Sequence, residues 1–145
     1  SEMCIRDRVL ISGDQKKNFI SIIEKRGKEI DIDPLKIEKN KANLLGTPII
    51  LAVICSPSIS SKIPKIEQIL SCGALCMNIL NNFLVKGWGA NWLTGWMAND
   101  KKFGELAFNN TKNEFVAGYI YVGSYEVINP DRPRPSLDEK ISYFK

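Results

Sequence analysis

The longest periodic segment, residues 64–85, most restricts how this chain can fold. Its apolar residues recur at helical spacing on two different faces. One stripe contains Ile66, Ile69, Leu70, Gly73, Ala74, Met77, Leu80 and Leu84, and the other contains Cys72, Cys76, Ile79 and Phe83. A helix that is apolar on two faces has two surfaces to pack against. The segment therefore predicts a long helix with two packing partners.

The middle of that helix is built from small residues, Ser71-Cys72-Gly73-Ala74. Glycine in a helix interior costs about 1 kcal/mol relative to alanine, so another group is expected to use the space beside Gly73. That group belongs either to a sister helix across a dimer interface or to the core of a monomer. We favour the dimer.

The remaining patterns alternate strands with helices and predict an α+β or α/β fold. In chain order we expect a strand ending near Ile11, a helix to about Arg26, a helix from Asp33 to about Asn43, strand 49–55, the long helix, a short helix from Asn99-Asp100 to Phe108 and strand 115–123. Pro130, Pro133 and Pro135 break both helix and sheet and predict an extended C-terminal arm, with Ile141, Tyr143 and Phe144 as apolar residues at its far end.

Residues 1–8, SEMCIRDR, show no period and resemble a translated fragment of a sequencing adapter. We interpret them as a non-native scar that adds no structure. An ordinary flexible end is the alternative.

The composition excludes several kinds of chemistry. The chain has 145 residues, 44% of them hydrophobic, which fits one domain with a core. It contains no histidine, and its cysteines form no CxxC pair, so we predict no metal site and no catalytic side chain. Cys72 and Cys76 are expected to pack in the core.

The basic residues are scattered and give a net charge of only +4, which predicts no nucleic-acid surface. We find no apolar run near the roughly 18 residues of a membrane span and no signal peptide. A cytoplasmic location without membrane attachment is the resulting expectation.

Residues 86–96 combine three tryptophans, three glycines and one threonine without an acid. Glycine lets a flat ligand approach the backbone, and tryptophan offers large apolar faces. The segment therefore suits a flat heteroaromatic cofactor. A buried strand followed by a glycine turn explains the same residues equally well.

Residues 9–144 resemble the FMN-dependent nitroreductase family, in particular its small bacterial branch. The resemblance rests on the order and spacing of several segments rather than on one motif. These are Thr47-Pro48 before a strand, residues 62–68 opening the long helix, Ser71-Cys72-Gly73-Ala74, residues 87–95, residues 116–123 and Arg132-Pro133-Arg134-Pro135.

The resemblance implies a mixed sheet flanked by helices and an obligate, swapped homodimer with FMN in the subunit interface. Matched by position, the residues that would line FMN are Trp92, Leu93, Thr94 and Gly95. The residues that match a region associated with NADPH or NADH are Asn82, Phe83, Leu84, Val85, Lys86 and Gly87, of which Phe83 and Leu84 also fit helix packing.

Two departures from the family pattern matter. Many relatives carry arginine where this chain has Leu93, so a cationic contact to the cofactor is missing. The family's phosphate-binding Arg-Arg-Ser lies ahead of the region matched by Val9, and Arg6 and Arg8 lack its context. The resemblance thus implies that residues 9–145 form a nitroreductase-like domain without its N-terminal part, and it leaves FMN binding by this chain open.

The implied activity is NAD(P)H-driven two-electron reduction of a small nitroaromatic or quinone-like acceptor by a ping-pong mechanism. Such chemistry depends on the cofactor more than on side chains. The alternatives are a non-catalytic dimeric module that binds a flavin or nucleotide, and an inactive truncated fragment.

Overall fold

Strands and helices alternate along residues 5–59, 62–126, 130 and 133–144, which the computed structural model describes. The elements are β1 (Ile5–Ser12), α1 (Gln15–Glu29), α2 (Pro34–Gly46), β2 (Ile49–Cys55), α3 (Lys65–Val85), β3 (Gly89–Leu93), α4 (Trp96–Asn99), α5 (Lys101–Phe108) and β4 (Phe115–Gly123). The α+β class and the order of the predicted elements are confirmed. The tryptophan-rich segment contributes β3, a glycine turn and α4.

The strands form one sheet in the order β1-β2-β4-β3. Each of the three described pairings is antiparallel; for example, Ala52 pairs with Tyr119, and Trp92 pairs with Ile120. The resemblance implied a mixed sheet, and the four strands found in the described residues contain no parallel pair. β1 and β3 form the two edges.

The two faces of the sheet are covered unequally. On one face α3 packs alone, with Cys72 and Cys76 buried against Val53, Ile120 and Val122. The other face carries α1, α2, α4 and α5, whose buried side chains include those of Phe19, Ile23, Trp96, Met97 and Phe103. The prediction that Cys72 and Cys76 pack in the core is confirmed.

Helix ends follow local signals. The Asp33 carboxylate accepts a hydrogen bond from the main-chain N–H of Leu35 at 2.9 Å, and Pro34 occupies the first turn, as predicted. Beyond α3, Gly87 has φ 81° and donates its N–H to the Leu84 carbonyl at 3.0 Å. Trp88 donates to the Phe83 carbonyl at 3.0 Å. This pair of bonds is a Schellman motif, which explains why a glycine stops the helix.

Residues 5–8 belong to β1 and lie beside β2, where Arg8 pairs with Val53. The expectation that residues 1–8 add no structure is therefore wrong for 5–8, because strand pairing uses main-chain groups that every sequence carries. Residues 1–4 lie outside the described residues. The non-native origin of the octapeptide stays a prediction.

The C-terminal arm contains no helix or strand among residues 130 and 133–144. Its apolar residues Ile141, Tyr143 and Phe144 are 54%, 89% and 104% exposed, so this chain alone does not bury them. Arg132 lies outside the described residues, and Arg134 is exposed.

Asp100 joins α1 to the start of α5. Its carboxylate accepts hydrogen bonds from Arg26 at 2.8 and 2.9 Å and from the N–H of Phe103 at 2.7 Å. The Arg26 guanidinium lowers the pKa of Asp100, against the opposing effect of burial, and the Phe103 N–H lowers it further. One side chain thus serves as helix cap and ion-pair partner.

We expect Asp100→Asn to keep the cap and lose the ion pair, whereas Asp100→Ala loses both and costs about 1 kcal/mol more. Because folding lowers the pKa of Asp100, the charge stabilises the fold above the unfolded-state pKa of about 4 and stops doing so as the pH falls through the folded-state value. In urea titrations at several pH values, the difference between wild type and Asp100→Asn should be constant near neutrality and vanish in acid. A difference that grows in acid would contradict this account.

Candidate functional site

The predicted flavin-lining residues lie where β3 ends and α4 begins. Gly95 has φ 81° and ψ −167°, a conformation that only glycine adopts without strain, and a Cβ built on it would meet no atom within 4 Å. Thr94 is exposed, and its hydroxyl has no hydrogen-bond partner among the described residues. Leu93 is 39% exposed. The turn therefore presents an open stretch of backbone with one unused hydroxyl.

The fourth predicted residue, Trp92, is directed into the fold. Its indole N–H donates to the Ala117 carbonyl at 3.3 Å, and its ring lies over Gly118, where a Cβ would come within 1.9 Å of Nε1. On the far side the ring reaches α3, since a Cβ on Gly73 would lie 3.9 Å from Cη2. The space beside Gly73 is thus next to Trp92 of the same chain, and the Trp92 side chain, which is half-buried, packs between β4 and α3.

The second predicted set, residues 82–87, forms the C-terminal turn of α3. Several of its groups have structural roles: the Asn82 amide donates to the Asn78 carbonyl at 2.8 Å, Phe83 packs in the core beneath α3, and Gly87 ends the helix. Leu84, Val85 and Lys86 are exposed. This set precedes β3, whereas the flavin set comprises the last two residues of β3 and the turn that follows them. Within one chain the two sets do not meet.

Two cavities flank β3 at its opposite ends. Thr94 lines a cavity of about 310 Å³ together with residues of α4, α5 and the start of β4, including Asp100, Asn110 and Ala117. A larger cleft of about 520 Å³ lies at the other end, between Thr47-Pro48, Leu84, Asn91 and Tyr121. Each predicted set therefore touches a different cavity.

The outward face of α3 is apolar and uncovered in a single chain. Ile66, Leu70, Met77 and Leu84 are 60%, 65%, 49% and 46% exposed, and their spacings of four, seven and seven residues place them on one side of the helix. By length and composition alone, α3 is the one helix in the described residues that could cross a membrane, a criterion that the core helix of a soluble protein also meets. The apolar outward face of α3 is therefore expected to pack against another surface.

Charged residues line the cavity at Thr94, namely Asp100, Lys101 and Glu114, whereas the described lining of the larger cleft contains none. Burial raises the pKa of Tyr121 and raises that of Tyr119, whose hydroxyl donates to the Met97 carbonyl at 3.1 Å. The hydrogen bond with Cys72, together with burial, raises the pKa of the Cys76 thiol. Within the described ranges no cluster of three or more Cys, Asp or Glu side chains could hold a metal ion.

Sequence reasoning did not single out Tyr121, Ser124 or Tyr125, which line the larger cleft. Tyr119 and Tyr121 are two residues apart and lie on the same face of β4. Nothing in the sequence indicates that Tyr119 is sealed in the core whereas Tyr121 reaches a cavity. Only the sheet register, which sets Asn91 opposite Tyr121, brings the polar groups of this cleft together.

No family model matches the chain. It is 24% identical over 140 residues to the Escherichia coli K12 protein named "Putative NAD(P)H nitroreductase YdjA", an alignment that covers 93% of this chain and 74% of that protein.

The fold is shared with solved structures. A nitroreductase-like family protein from Bacillus cereus superposes with a TM-score of 0.76 at 19% identity, covering 95% of this chain and 72% of the other. The FMN and NADPH-dependent nitroreductase NfnB from sphigopyxis sp. strain HMH superposes with a TM-score of 0.67 at 12% identity, covering 96% and 79%. The two similarities establish the architecture described above.

Proposed function

We propose that this chain, a member of the nitroreductase family by sequence and fold, is the core of a cytoplasmic FMN-dependent oxidoreductase. NADPH or NADH would be the electron donor, and a small nitroaromatic or quinone-like molecule would be the acceptor. The relatives supply the cofactor names: YdjA is named for NAD(P)H, and NfnB for FMN and NADPH. Whether FMN fits this chain is judged from the chain's own residues.

The open turn at Thr94-Gly95 is the observation that supports the proposal. A flat ring can approach the backbone at Gly95 because no side chain stands there and the surrounding space is empty. The Thr94 hydroxyl is free to bond a ring heteroatom, and exposed Leu93 offers an apolar edge. These residues fit an isoalloxazine, and no charged side chain among residues 92–95 would oppose it.

The chain's own contribution would be binding and orientation. The glycine turn and Thr94 would hold the ring, and a second copy of the chain would have to cover it to exclude water, because residues 93–95 are exposed in one chain. When bound, FMN would supply the redox chemistry by accepting a hydride from the nicotinamide nucleotide and returning two electrons to the acceptor. Because the cofactor would carry out the redox step, no side chain of this site would have to transfer a proton.

A second copy of the chain is part of the proposal. One chain leaves the apolar face of α3 uncovered and the apolar end of the C-terminal arm exposed. Exposed apolar patches of this kind mark interaction surfaces in soluble proteins. A homodimer built on α3 would cover the first, and a reciprocal exchange of arms would cover the second.

We expect Thr94→Val to weaken FMN binding about fivefold, because one hydrogen bond of about 1 kcal/mol is lost while the shape of the side chain is kept. Stability should not change, since Thr94 is exposed and has no partner in the described part of the chain. Quenching of flavin fluorescence gives the dissociation constant. Thr111→Val, at an exposed threonine in another turn, is the matched control. Equal affinity in wild type and Thr94→Val would remove Thr94 from the site.

Turnover separates the proposed enzyme from a flavin-binding module without activity. Anaerobic addition of NADPH should bleach the flavin absorbance of the loaded protein, and a quinone should restore it. Flavin that binds but stays oxidised with both NADPH and NADH would favour the binding module. Failure to bind flavin at all would favour the inactive fragment.

A further inference from the structure

The larger cleft lies apart from the residues assigned to the flavin. It has a volume of about 520 Å³, within the usual range of small-molecule sites. Its lining comes from the end of α2, the starts of β2 and β3, the end of β4 and Leu84 of α3. Thr94 is three residues beyond Asn91, just after the end of β3, and lines the other cavity. The cleft therefore needs an explanation of its own.

Two polar side chains that have no hydrogen-bond partner within the described ranges stand next to each other in this cleft. Asn91 of β3 and Tyr121 of β4 are directly paired across the sheet, so their side chains lie on the same face. The Tyr121 ring is buried, with the residue only 8% exposed, whereas its hydroxyl has no hydrogen-bond partner among the described residues. The Asn91 amide also has none. Ser124, at the same end of β4, adds a second hydroxyl that has no partner in the described part of the chain.

The walls of the cleft suit a flat ring. Tyr125 packs directly on Gly89, where a Cβ would lie 3.0 Å from Cδ1 of the tyrosine ring. Pro48 and Leu84 provide further apolar surface, and Gly46 carries no side chain into the space. An aromatic molecule can thus lie against rings and bare backbone while its polar substituent meets Asn91 and Tyr121.

The charges nearby favour an anionic substituent. No carboxylate is present among the described lining residues. The Lys16 ammonium donates a hydrogen bond to the main-chain carbonyl of Thr47, which lines the cleft, and so places a positive charge behind that wall. Because burial raises the pKa of Tyr121, its hydroxyl stays protonated and available as a donor.

From these observations we propose that the cleft is a second binding site, separate from the flavin turn, for a planar aromatic carboxylate. The carboxylate oxygens accept hydrogen bonds from the Tyr121 hydroxyl and the Asn91 amide. The ring lies between Tyr125, Pro48 and Leu84.

The test uses 2-naphthoate, a planar carboxylate that the proposed redox reaction does not consume, and isothermal titration calorimetry of the intact protein. We expect binding at millimolar concentration or tighter. Asn91→Ala and Tyr121→Phe should each weaken it about tenfold, as expected for a hydrogen bond to a charged acceptor. Asn18→Ala, at an exposed asparagine of α1, is the control and should leave the affinity unchanged. Near-ultraviolet circular dichroism verifies that each variant is folded.

Each of several outcomes would overturn the proposal. They are no heat of binding from wild type, equal affinities in wild type and both cleft variants, equal binding of 2-naphthylmethylamine, and displacement of 2-naphthoate by FMN. The last would make the cleft part of the flavin site. Since calorimetry does not depend on flavin reduction, failure here is distinguishable from failure of the proposed redox function.

Discussion

Gly118→Ala should destabilise the domain by about 3 kcal/mol, a large part of the 5–15 kcal/mol that usually holds a domain together. The added Cβ would stand 1.9 Å from Nε1 and 2.4 Å from Cδ1 of Trp92. The Leu93 carbonyl oxygen, 3.1 Å away, limits relief by movement of the backbone. The indole would have to leave its position, losing its hydrogen bond to Ala117 and its packing against α3.

Urea unfolding followed by circular dichroism measures this loss. Gly46→Ala is the matched control, because a Cβ there meets no atom within 4 Å and should be tolerated. Combining Gly118→Ala with Trp92→Ala removes the clash, so the double variant should be less destabilised than the sum of the two single ones. Strict additivity, or a stable Gly118→Ala, would show that the indole does not rest on Gly118. The flavin turn follows Trp92 directly, so the same variant should also weaken flavin binding.

The sequence predicted the elements well because their signals are local. Asp33-Pro34 and Asp100 cap helices through contacts within three residues, and the apolar runs of β2 and β4 are complete in themselves. The contact between Trp92 and Gly118 could not be predicted, because it depends on sheet register across 26 positions. The composition predicted a ligand platform at this tryptophan, whereas a glycine on the neighbouring strand lets it pack, half-buried, against the core.

The candidate site was predicted in pieces for a related reason. Residues 82–87 and 92–95 are close in sequence, but the first set precedes β3 and the second includes its end, and the cavities that they touch lie at opposite ends of the strand. The number of residues between the two predicted sets does not show that the chain between them is an extended strand, which moves them apart. The larger cleft was missed because its polar pair, Asn91 and Tyr121, is created by the pairing of β3 with β4.

Leu70→Glu should dissociate the proposed dimer, raising its dissociation constant about 1,000-fold. Leu70 is 65% exposed near the middle of the outward face of α3, between Ile66 and Met77. Burying a leucine gains about 1.5–3 kcal/mol, and a symmetric interface loses that amount twice, once from each copy. The two new carboxylates would also repel each other if the helices cross near Gly73. The fold of each subunit should survive, because the side chain is exposed within one chain.

Sedimentation velocity gives the oligomeric state, and circular dichroism gives the fold. Leu35→Glu makes the same exchange at a leucine of α2 that is 79% exposed, and it should leave the dimer intact. A wild type that stays monomeric at all concentrations would refute the dimer, and a Leu70→Glu protein that stays dimeric would move its interface away from α3. Because α3 is also long and apolar enough to cross a membrane, detergent-dependent solubility of the wild type would show that a bilayer covers the helix.

If the dimer is correct, Leu70→Glu should also release flavin, because the turn at Thr94-Gly95 is open to solvent in one chain and needs a second surface to enclose a ring. Joint loss of dimer and flavin in Leu70→Glu, with both retained in Leu35→Glu, would tie the uncovered helix to the cofactor site.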